Sequence, residues 1–142
     1  MFSHPAVIVH GLDDVRAALA PGQRLLLLSA HGAALYAGVG WWMALMRAAR
    51  AEFPGVAGAD ILDCADAPGR AMEALRAGQT AIRLDRACPA WPRVAAVARD
   101  LGADLLAERP PALDLAAHGA VRRLPVWLET GWRAGDKAAK LG

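Results

Sequence analysis

Five short apolar runs, "AVIVH" (6–10), "RLLLLS" (24–29), "ADILDC" (59–64), "TAIRLD" (80–85) and "ADLLAER" (103–109), alternate with stretches whose apolar residues recur at helical spacing. No other feature limits the fold as tightly. Short runs rich in Val, Ile and Leu, bounded by turn residues, are the pattern of strands covered on both faces. A strand, a helix and a further strand joined by short connections make a βαβ unit, and repeated units make a parallel sheet. The expected fold class is therefore α/β: a single-domain five-stranded parallel sheet with flanking helices. The alternation does not fix strand order. The flavodoxin-like order 2-1-3-4-5 is preferred, with an incomplete (βα) barrel, its strands in sequential order, as the alternative.

The helical segments carry their own punctuation. "LDDVRAALA" offers Asp13 or Asp14 as a cap for free helix amides. Trp42, Leu45, Met46, Ala49 and Phe53 form one stripe, stopped by Pro54 and Gly55. "DAPGRAMEALRAG" opens at Asp66 and Pro68 and closes at Gly78. "PAWPRVAAVARDLG" carries Val94, Val97 and Leu101 and ends at Gly102. Past Pro111 the alternation fails. Residues 1–109 read as the parallel domain and 110–142 as a C-terminal apolar extension, helical in one or two pieces broken near Gly119 and Pro125. Val126, Trp127, Leu128 and Trp132 must be covered by the same domain or by a second subunit. Two-fold dimers are the commonest soluble assembly, so a homodimer with Trp127 or Trp132 at the contact is expected.

Composition removes several function classes. The chain has 142 residues, 56% hydrophobic and 21% charged, which suits one globular domain and excludes a disordered chain. The formal net charge is +2 with arginines scattered along the chain, so no nucleic-acid partner is expected. No window reaches the roughly 18 apolar residues a membrane span needs. The N-terminal "MFSHPAVIVHGLDD" lacks the basic start of a signal peptide. Cys64 and Cys88 do not make a disulfide framework. A cytoplasmic protein with reduced thiols is expected.

The stretch "SAHGAALYAGVGWW" (29–42) holds three glycines between a strand and a helix. It is not a phosphate-binding P-loop, because no Lys-Ser/Thr pair follows Gly38 or Gly40. A dinucleotide fingerprint is matched only in part: Gly38-Val39-Gly40 supplies the first pair and Asp63 sits about where a ribose-binding acid would, but Met43 stands where the third glycine belongs, and no cofactor is expected. What remains is a helix N-terminus whose amides, between Gly38 and Trp42, carry partial positive charge that can hold an anion. Trp42 lies on the buried stripe. Trp41 is one position off it, suited to packing at the loop edge or to stacking on a ligand.

Ligands of open parallel sheets bind beyond the carboxyl ends of the strands. Those ends here are His10, then Ser29 and His31, then Asp63, Cys64 and Asp66, then Asp85 and Cys88, then Glu108 and Arg109. The first reading is a small protein binding an anionic metabolite through Ser29, His31, Gly38, Gly40, Trp41 and Asp63. His31, Asp63 and Asp85 should then surround one depression. A second reading is a small-molecule enzyme with His31, Cys64 and Asp85 as catalytic residues. In it Cys64 would be a nucleophile served by His31 or His10, and Asp63 and Asp85 an acid–base pair. A third is a non-catalytic structural or regulatory oligomer acting through the surface around Trp127 and Trp132. Asp66 is better suited to capping a helix. His10, His31, Cys64 and Cys88 are zinc-ligand types, but they lack any close pair, and no metal is expected.

Overall fold

A computed structural model of the protein describes residues 3–133. The elements, in chain order, are β1 (Ala6–Ile8), α1 (Leu12–Leu19), β2 (Leu25–Leu28), α2 (Ala33–Tyr36), α3 (Val39–Glu52), β3 (Ala57–Asp63), α4 (Pro68–Arg76), β4 (Ala81–Arg83), α5 (Trp91–Leu101), β5 (Asp104–Leu106), β6 (Ala112–Asp114) and α6 (Ala120–Val126). A π-helical segment, Trp127–Gly131, continues α6. The class is α/β, with one open six-stranded parallel sheet in the order β5-β4-β3-β2-β1-β6.

Two expectations are corrected. The flavodoxin-like order would place β3 beside β1. Instead β1 pairs in parallel with β2 on one side and β6 on the other, so the first five strands run in sequential order, as in the alternative. The sixth strand was not foreseen, since three residues just past Pro110 and Pro111 are too few to show a period. They are strand because β1 offers a free edge, with Ala6 opposite Ala112 and Ile8 opposite Asp114.

The chain forms two compact units. The first comprises Met1–Leu28, Arg47–Ala59 and Pro110–Gly142. Its core holds Val7, Val9, Val15, Leu19, Leu25 and Leu27, with Leu124 and Leu128 from the C-terminal extension. All of β2 is buried, as a continuous leucine run requires. Gly58 is small for a reason: a Cβ there would lie 2.6 Å from the backbone oxygen of Leu25. The α1 cap is also corrected. Gly11 precedes the helix with no side-chain cap bond, and Asp14 instead accepts from the amide of His10 at 2.8 Å. The helix after Gly119 does start where expected, but Pro125 lies inside it. Proline has no N–H for the preceding turn, and the chain runs on into π-helical geometry rather than stopping.

The second unit comprises Ser29–Met46 and Asp60–Arg109. Trp42, Ile61, Leu62, Ile82 and Leu84 are fully buried in it, with Val94 and Ala98 close to that. Helix α4 opens on Pro68, whose missing N–H would have no helical partner anyway. Its cap residue is Ala67, without a side-chain cap bond. Asp66 is exposed, so the expected Asp66 cap is not formed. Helix α5 ends on Gly102 in the left-handed region, φ 69°, the conformation glycine adopts without steric cost. A buried polar cluster ties β3 to the helices. The Trp42 indole N–H donates to Asp60 Oδ2 at 2.8 Å and the Gln79 amide donates to the same oxygen at 2.7 Å. Gln79 also donates to the Ala81 carbonyl at 3.0 Å. Such donors are what a buried carboxylate requires.

Candidate functional site

In the second unit, the carboxyl ends of the strands converge on Asp63. This last residue of β3 is fully buried. Oδ1 accepts from the amides of Gly32 at 3.0 Å and Ala65 at 2.8 Å. Oδ2 accepts from Arg109 Nη1 at 2.7 Å. Arg109 spans to the neighbouring chain segment, donating through Nη2 to the Ser29 carbonyl at 3.1 Å. The Ser29 hydroxyl accepts from the Asp63 amide at 2.9 Å and donates to the Ala30 carbonyl at 3.0 Å. Asp63 and Ser29 therefore knit together the β3 end, the glycine loop and the segment after β5.

Arg83, opposite Asp63 in the β3–β4 register, is the second cation. Its Nε donates to the Ala107 carbonyl at 2.9 Å. Its Nη1 lies 2.6 Å from Asp85 Oδ1 and 3.7 Å from Asp63 Oδ1. Although both oxygens are close, this buried Nη1 has no aligned hydrogen bond among the described residues. The Asp85 contact is thus an ion contact without a directed bond. Ala65 sits at the centre with φ 48°, a left-handed conformation that costs a residue with a Cβ. It serves two partners: its amide donates to Asp63, and its carbonyl accepts from the Asp85 amide at 2.7 Å.

The structure places the other sequence candidates as follows. His31 is exposed and directly precedes Gly32, whose amide binds Asp63, while Asp63 and Asp85 both lie beside Arg83. Gly38 adopts φ 96° just before α3. Gly40 is exposed, and Trp41 is 37% exposed, its ring 6.1 Å from that of buried Trp42. Cys64 is fully buried, and burial, followed by the carboxylates of Asp63 and Glu73, pushes its thiol up to about 12. A thiol held neutral is a poor nucleophile, which speaks against Cys64 in the catalytic role. The described residues contain no group of three His, Cys, Asp or Glu side chains able to hold a metal ion.

The first unit carries a separate strand-end feature. His10 Nε2 lies 2.6 Å from Asp114 Oδ1. His10 follows β1 by two residues and Asp114 ends the adjacent β6, at the point where the chain departs toward β2 on one side and returns as β6 on the other. Such a switch point opens a crevice at the strand ends. A cavity of about 350 Å³ lies at the β1–α1 connection, lined by His10, Gly11, Leu12, Asp13 and Asp14.

Arg83 and Asp114 were missed in the sequence. Arg83 is a lone charge inside an apolar run two residues before Asp85, a spacing that in an extended segment puts both side chains on one side. Asp114 follows the Pro-Pro stop, where no strand was read. No family model matches the chain, and no curated protein matches it. No helix among the described residues is long and apolar enough to cross a membrane.

Proposed function

We propose that the protein binds a small anionic metabolite, a carboxylate or phosphate, at the strand ends of its second unit. The observation that carries this reading is Arg83 Nη1, a buried cation with no aligned hydrogen bond among the described residues. Arginine N–H groups form their strongest bonds with a directed anionic acceptor. Asp85, whose side chain is 39% exposed, occupies the place such an anion would take. The ligand's oxygen displaces Asp85 and aligns on Arg83, while Asp63 and Arg109 hold the rim in shape. His31, Gly38, Gly40 and Trp41 supply the exposed edge of the glycine loop. Thermal melting with phosphate, citrate and simple carboxylates at millimolar concentration tests the reading, because binding to the native state alone raises stability. The melting temperature should rise for wild type and rise further for Asp85→Asn, which removes the internal competitor. It should stay flat for Arg83→Gln. No response in wild type or Asp85→Asn rejects the site.

An acid–base reading on other residues than His31, Cys64 and Asp85 is favoured by one observation in the first unit. A carboxylate bonded to one imidazole nitrogen orients the other for proton transfer, and His10 stands over a cavity with Asp114 in that relation. The test is a panel of small hydroxyl and carbonyl compounds followed through the His10 imidazole resonances. Compounds that shift them in wild type and lose the effect in Asp114→Asn support an acid–base site. An unresponsive His10 across the panel rejects it.

A further inference from the structure

We infer that the first unit has a second binding site, on the C-terminal extension, for a monocarboxylate with an apolar body such as a short acyl chain or an aromatic ring. A cavity of about 460 Å³ there is lined by Leu113, Arg122, Arg123, Val126, Trp127 and Gly131, a size within the range of small-molecule sites. The wall is apolar. Leu113 of β6 is buried, whereas Val126 is 65% exposed, an uncovered aliphatic surface beside an indole. The mouth is basic. Arg122 and Arg123 are exposed, and neither has an ion pair among the described residues. Two guanidinium groups that line an apolar cavity, without an ion pair among the described residues, complement a ligand with one anionic end and a greasy remainder.

The indole is held in place before any ligand arrives. Trp127 Nε1 donates to the Ala6 carbonyl of β1 at 2.9 Å, which fixes the ring. Gly131 makes room for it: a Cβ at that position would come within 3.1 Å of Trp127 Cε3. The turn carrying both residues is π-helical, a geometry often found at functional sites. It is this turn that brings Gly131 under the Trp127 ring. A rigid aromatic wall loses little conformational entropy on binding. The anion itself meets Arg122 and Arg123 of α6, so its recognition does not depend on Arg83 or Asp63.

The test uses the full chain and octanoate, with octanol and acetate as probes of each half of the ligand. Octanoate should shift the Trp127 indole N–H resonance, assigned by its loss in Trp127→Phe. Octanol and acetate should bind more weakly by about tenfold or more, the worth of roughly 1.4 kcal/mol. The Arg122→Gln, Arg123→Gln double variant should lose octanoate affinity by a similar factor, and Arg122→Lys, Arg123→Lys should retain most of it. Arg83→Gln should leave the octanoate response unchanged, so failure here and failure of the rim site are read separately. An unmoved Trp127 resonance at millimolar octanoate overturns the proposal. So does equal binding of octanol, or a sedimentation result showing this face closed by a second copy with or without octanoate.

Discussion

At the scale of single residues, Ala65 and Cys64 show how a strand end can be tense and inert at once. Ala65 holds φ 48° because its amide and carbonyl are both in use beside Asp63 and Asp85. Strain of this kind persists where the surroundings over-determine it and marks candidate sites. Ala65→Gly should relieve it, raising stability by about 0.5–1 kcal/mol once glycine's extra unfolded-state freedom is set against the gain. Urea unfolding with an unchanged slope checks this, and a destabilised variant rejects the strain. Cys64 makes a pH-dependent prediction. Its folded thiol is raised from 9.0 to about 12, so below pH 9 the thiol is neutral in both states and its contribution is complete. Above that the unfolded thiol ionises while the folded one does not, and stability drains away toward pH 12. Wild type should therefore lose its advantage over Cys64→Ala as pH rises from 8 to about 10, and iodoacetamide should modify native Cys64 slowly at neutral pH. Rapid stoichiometric alkylation would instead restore Cys64 as a nucleophile.

At the scale of elements, β3 is the most informative. Its buried residues were legible as an apolar run, but its start was read two residues late, because Ala57 and Gly58 carry no strand propensity. Gly58 is in the strand because the Leu25 carbonyl leaves no room for more. That neighbour is backbone and cannot rotate away, so Gly58→Ala should cost about 1–3 kcal/mol, seen as a lower urea midpoint. A neutral result would mean that β2 and β3 separate more easily than the contact implies. The helices show the opposite lesson. Stripes such as Trp42, Leu45 and Met46 are buried as their spacing requires, whereas the Asp13, Asp14 and Asp66 caps failed. Spacing is a property of the whole helix, while a cap depends on one local turn that other bonds can claim, as His10 claims Asp14.

At the scale of the whole molecule, the apolar extension was expected either to fold back or to make a dimer. Leu128 is buried and Trp127 is hydrogen-bonded to β1 of its own chain. Trp127→Ala should then lower stability by about 2 kcal/mol and leave sedimentation equilibrium unchanged. A change of stoichiometry in Trp127→Ala, or in the double variant with Trp132→Ala, would place these indoles at the contact of the expected homodimer. Sequence alone determined the α/β class, the first five strands and most of the buried helix faces, because periodicity and apolar runs are written locally. It also marked the polar strand ends. Which polar groups meet was decided only by tertiary structure. Strand order set His10 beside Asp114, and register set Arg83 beside Asp63. Both pairs depend on contacts between segments far apart in the chain: 104 residues separate His10 from Asp114. A sixth strand of three residues exists only because β1 had an edge to complete, and no local pattern of that length can announce itself.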